Sequence, residues 1–151
     1  MAKAHKEGQG DVPMDTLDTH NVVFDTVKTA ILAHADCPAK LVTGNIVSSL
    51  DANIAATPRV VMQELNIITK SYTLDYDNYK KVITWQTDIY CSGSAAESQC
   101  RAIAKIVNSI FQGDLHFEQV SGGKIEFVDT VTKRYTLRHT GTFDETDGVF
   151  K

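Results

Sequence analysis

The chain has 151 residues, a formal net charge of −4, and 42% hydrophobic and 23% charged side chains. This suits one soluble globular domain, long enough to bury about 68–70% of the surface its unfolded form exposes. The mild acidity argues against a protein that coats nucleic acid, and no apolar run approaches the ~20 residues of a membrane helix.

Residues 1–14 (MAKAHKEGQGDVPM) lack the apolar centre of a signal peptide, so a cytosolic origin is expected. They are polar and aperiodic, and read as a flexible arm before a single domain over 15–151. A first helix is predicted over 15–35, with Thr16 and Thr19 competing for the cap. Its apolar stripe is Val23, Phe24, Val27, Ala30, Ile31 and Ala35. The step Asp36-Cys37-Pro38 ends it, because proline disfavours helix in the residue before it. Residues 41–47 suit a short strand, and 48–57 a surface loop.

A clear strand is predicted over 59–69, opened by Pro58 and carrying Val60, Val61, Met62, Leu65, Ile67 and Ile68. Residues 70–79, with Tyr72, Asp75, Tyr76, Asp77, Asn78 and Tyr79, read as an exposed connection in a long antiparallel hairpin. The strongest signal follows. Ile83, Trp85, Thr87, Ile89 and Cys91 occupy one face of a strand, with Thr84, Gln86 and Asp88 on the other.

Ser92-Gly93-Ser94 breaks that strand. A helix is then marked by Ala96, Cys100, Ile103, Ala104, Val107, Ile110 and Phe111. Ser94 and Glu97 have capping-box spacing, and Gly113 stands where the helix should stop. Strands over 116–120 and 124–128 are predicted to flank a hairpin turn at Ser121-Gly122-Gly123. Arg134–Thr140 alternates again, before an acidic turn and the exposed-looking pair Val149 and Phe150. The order of elements predicts an α+β fold: a mostly antiparallel mixed sheet with two amphipathic helices packed on one face.

Chemistry is sparse along this frame. Cys37, Cys91 and Cys100 are an odd count without a CxxC pair, so small buried thiols are expected, with Cys91 and Cys100 brought near each other where strand turns into helix. His34, Asp36 and Cys37 are potential metal ligands, but no second cluster completes a zinc site. The histidines are scattered, and residues 93–97 do not form GxSxG, since Ala95 stands where its serine should be. Ser121-Gly122-Gly123-Lys124 lacks P-loop spacing. Asp75, Asp77 and Asn78 lack the downstream residues of a calcium loop. Lys133, Arg134 and Arg138 read as a small basic patch on a strand. No catalytic residue, cofactor site or metal site is expected, and the chain is not expected to be an enzyme.

In the order of its elements the chain resembles the tail terminator (tail completion) proteins of long-tailed bacteriophages and the related neck and minor capsid proteins. The features that carry this are the helix ending in a Pro-containing turn at Pro38, and Thr57-Pro58-Arg59-Val60-Val61 opening a strand. A strand ending Asp88-Ile89-Tyr90-Cys91-Ser92 then runs into the Ala-rich helix over 95–111. A final strand group over 134–143 completes the likeness, which covers about residues 15–151 and leaves the arm at 1–14 unmatched.

The resemblance implies a structural virion protein at the neck/tail junction, made in the host bacterial cytoplasm. It implies a homo-oligomeric ring, usually a hexamer, that caps the tail tube and meets the head–tail connector. DNA would pass through without sequence-specific binding, and no membrane is involved. A ring repeats one heterologous interface, so each subunit needs complementary patches rather than a cleft. The candidates are Tyr72, Tyr76 and Tyr79, the loop 48–57, and Val149 with Phe150, since tyrosines suit interfaces. Two alternatives stand beside this reading: a head-side neck or head-completion protein of similar fold, and a small α+β domain holding a ligand between sheet and helices.

Overall fold

The computed structural model describes residues 18–37, 45–48, 57–72, 79–128, 130–145 and 148–150. The expectations for residues 1–14, for most of 38–57 and for 73–78, Tyr76 included, lie outside this set. In chain order the elements are α1 (Thr19–Ala33), β1 (Ile46–Val47), β2 (Arg59–Tyr72), β3 (Tyr79–Ser92), α2 (Ala96–Gly113), β4 (Glu118–Phe127), β5 (Thr132–Asp144) and β6 (Val149–Phe150).

The strands form one six-stranded sheet in the order β1-β2-β3-β5-β4, with β6 also paired to β5. Among the described residues only β1 and β2 pair in parallel; every other described pair is antiparallel. β3, α2 and β4 therefore make a crossover between parallel strands into which β5 inserts. The fold is α+β.

Both helices pack on one face of the sheet, through a single core. Val23, Val27 and Ile31, four residues apart on α1, are fully buried, as are Cys100, Ile103, Val107 and Phe111 on α2. They meet Ile83, Trp85, Ile89 and Cys91 of β3, the face that the alternation predicts. Gly93, at φ +97°, takes the turn between β3 and α2, and its N–H donates to Val131 O at 3.1 Å.

Several local expectations need correction. α1 stops at Ala33 rather than Ala35, because His34 is extended and its Nδ1 accepts the Asp36 N–H at 3.2 Å in place of a helical carbonyl. Asp18 is the residue before α1, and Thr19 is its first, fully buried residue rather than a cap. Ser94 does not cap α2 either: Ala95 precedes the helix, with no side-chain cap. Glu97 instead pairs with Arg101 at 3.3 Å, one helical turn on, and with Lys133 at 3.9 Å. Ser94→Ala should therefore shift the urea unfolding midpoint by the equivalent of less than ~0.5 kcal/mol, where loss of a true cap costs ~1 kcal/mol.

β2 runs on to Tyr72, which pairs with Tyr79, so the hairpin connection shrinks to 73–78. A bulge at Leu65 explains how β2 keeps its pattern. Without it, Asn66 and Ile68 would follow Val60, Met62 and Glu64 onto the helix face. With the extra residue Ile67 packs on the core while Leu65 and Ile68 are exposed.

The predicted hairpin turn at Ser121-Gly122-Gly123 is absent. These residues lie inside β4, which stays paired to β5 through irregularities at Val120 and Gly123, and the chain reverses after Phe127. Glycine is needed for packing here. A Cβ on Gly122 would sit 2.7 Å from both Leu137 Cδ2 and Gln119 Nε2. Gly141 is tighter still, because the buried Phe117 ring fills the space its Cβ would need. Gly141→Ala should cost about 1–3 kcal/mol, read as a lower urea midpoint with unchanged slope.

Candidate interaction surfaces

Many polar side chains of the sheet are tied to one another by hydrogen bonds. On the sheet face away from the helices, Thr136 Oγ1 donates to Asp88 Oδ1 at 2.6 Å and Gln86 Nε2 to Asp88 Oδ2 at 3.0 Å. Arg138 Nε then donates to Gln86 Oε1 at 2.9 Å. The Thr84–Thr140 and Ser92–Thr132 hydroxyl pairs, at 3.2 and 2.9 Å, continue the ladder. Asp88 is 1% exposed, so Asp88→Ala would leave the half-buried donors Thr136 and Gln86 unmatched and should cost about 1–3 kcal/mol, measured by urea unfolding. The basic patch read from the sequence is split by strand alternation. Lys133 pairs with Glu97 of α2, whereas Arg138 points to the opposite face.

On the helix face, Cys91 and Cys100 do meet, as free buried thiols. Their mutual hydrogen bond, with burial, pushes the Cys91 thiol well above its usual range. Cys100 Sγ donates to Ile89 O at 3.5 Å. His139 stacks on Phe111 at 4.4 Å and 7°, and its Nε2 bonds Asn108 Oδ1 at 2.8 Å. Neither thiol is bonded to a histidine among the described contacts, so a Cys–His nucleophile is not assembled there. Among the described residues no group of three or more His, Cys, Asp or Glu could hold a metal ion, and no helix is long and apolar enough to cross a membrane.

The larger described cavity, about 500 Å³, is an open groove where the end of α1 meets the outer side of α2. His34, Asp36, Arg101, Lys105 and Ile106 help to line it. It lies outside the sheet–helix interior, where the ligand-binding alternative would place its site.

The sheet edges are more informative. On one side β1 pairs with β2 only at Val60 and Val61, so the rest of β2 has no further strand beside it among the described residues. That edge exposes Leu65 and Ile68, the latter by 55%. On the other side β4 is outermost, and β6 continues its line along β5. Val120 is 55% exposed there and Val149 44%.

The predicted interface residues distribute over these edges. Tyr72 lies at the end of β2, paired with Tyr79 of β3. Val149 is exposed on the opposite edge, whereas Phe150 turns inward, its ring 5.3 Å from Phe117 and 5.2 Å from Phe143. Leu65, Ile68 and Val120 escaped sequence reading because an aliphatic residue in a strand looks like core, and for Ile68 it is the bulge at Leu65 that turns it away from the helix face. No protein-family model and no curated protein matches the chain.

Proposed function

We propose that this chain is a ring-forming subunit that caps the tail tube of a long-tailed bacteriophage and joins it to the head connector. The observation that carries the reading is the placement of exposed aliphatic residues on opposite edges of one sheet: Leu65 and Ile68 on β2, Val120 and Val149 on β4 and β6. A closed ring needs two different patches facing opposite ways on each subunit, and exposed apolar strand edges seek partners. The element order supports the same reading. In this role the chain turns over no substrate, needs no cofactor, and lets DNA pass through the ring without reading its sequence. Its place is the virion neck.

Light scattering on the purified chain, alone and mixed with the phage tail tube protein, tests this: a ring-sized species is expected. Preference for portal or adaptor protein over tube in a pull-down would move the assignment to a head-side neck protein. Ile68→Lys should abolish the ring while changing stability by less than ~0.5 kcal/mol, since Ile68 is largely exposed in the single chain.

A further inference from the structure

We infer that successive subunits join edge to edge, β2 of one copy pairing antiparallel with β4 of the next, so that one continuous sheet runs around the ring. The inference rests on the ring reading and names the interface it requires.

Strand direction comes first. β2 is antiparallel to β3, β3 to β5, and β5 to β4, so β2 and β4 run in opposite directions. A second copy placed beside β4 with its β2 foremost continues the alternation without inversion. Head-to-tail copies can therefore share an antiparallel ladder, the pairing that antiparallel sheets already use. Edge pairing of β2 with another β2, or β4 with another β4, would be isologous and would stop at a dimer.

Length is the second argument. The part of β2 beyond its contact with β1, residues 62–72, is within one residue of the length of β4, Glu118–Phe127. The edges are about 33–36 Å long at ~3.3 Å per residue.

The third argument is edge chemistry. Natural edges are blunted with proline, lysine, short strands or bulges. Each edge here carries two irregularities: those at Leu65 and Val120 place an apolar, exposed residue at the bulge, and those at Lys70 and Gly123 lie further along each strand. Neither edge contains a proline, and each carries one lysine, Lys70 on β2 and Lys124 on β4, away from the exposed Leu65, Ile68 and Val120. Such bulges leave the edge attractive and restrict it to the register in which each bulge meets a matching irregularity.

Paired substitutions test this. In a Cys37→Ser background, cysteines at Leu65, Asn66 or Ile68 are combined in one chain with cysteine at Val120 or Ser121. Mild oxidation of the ring is expected to give a covalent ladder of multimers for at least one combination, and no dimer from either single cysteine. Ile68→Lys and Val120→Lys should each abolish rings alone, while their mixture should stop at dimers, joined through the one intact β2 edge and the one intact β4 edge. Intact rings in which no combination cross-links, or single-cysteine variants that dimerise, would overturn the edge pairing and leave the ring standing. Failure to form any ring, alone or with tail tube protein, would overturn both.

Discussion

Replacing Trp85 by alanine is expected to remove about 3–5 kcal/mol of stability, a large part of the 5–15 kcal/mol that a domain of this kind possesses. Trp85 is fully buried at the centre of β3, between Glu64 of β2 and His139 of β5, with the His20 ring of α1 5.1 Å away. It thus joins the central strands to the first helix, and its removal leaves a cavity that the two layers cannot both close. Phenylalanine should behave differently. The Trp85 Nε1 is buried without a hydrogen-bond partner, a penalty that Phe does not carry. Trp85→Phe should therefore cost less than about 1.5 kcal/mol despite its smaller ring. Urea unfolding followed by far-UV circular dichroism checks both, since this is the chain's only tryptophan. Equal losses for the two variants would show that ring volume, rather than the balance of volume and the stranded N–H, controls this site.

Acid should weaken the fold through His139. The ring is fully buried, and Asn108, whose Nδ2 donates to Gln112 Oε1 at 3.4 Å, turns its Oδ1 to accept from His139 Nε2. His139 Nδ1 is left as a buried lone pair without a donor. A proton there would place a charge in the core, and burial accordingly lowers the pKa from 6.5 to about 4. In the unfolded chain the imidazole titrates near its ordinary value. Between about pH 6.5 and 4 the unfolded state therefore binds more protons than the folded one. Stability is complete above that window and falls as pH drops through it, by about 3 kcal/mol at the lower end. Glu64 works in the other direction, because burial raises its pKa and the fold favours its protonated form. The informative comparison is therefore with His139→Phe, which keeps the stack on Phe111 and removes the titration. The variant should lose the wild-type decline between pH 6.5 and 4.5 in a series of urea midpoints.

Much of the frame was legible because its signals are local. The stripe on α2 and the alternation along β3 each repeat within one element, and both faces came out as the periodicity predicts. Errors arose where a residue answers to something distant in sequence. Ser121-Gly122-Gly123 has the composition of a turn, yet Gly122 is small because Leu137, on the neighbouring strand, occupies the space beside it. Ser94 has the spacing of a cap, but α2 starts too late for it to serve. Alternation places Asp88 on the face opposite Trp85 and says no more; its partner Thr136 lies 48 residues away. The candidate interface residues were chosen one by one for their chemistry. That Tyr72 and Val149 belong to opposite edges of one sheet follows only from the inserted position of β5, which no periodicity encodes.

The central claim is that this chain closes into a ring through two different edges. Mass by multi-angle light scattering, over a concentration series and then with tail tube protein, tests it most directly. The account predicts one closed species several times the chain mass that does not grow further with concentration, and that collapses to single chains in Ile68→Lys. A chain that stays monomeric throughout and ignores the tube would contradict it.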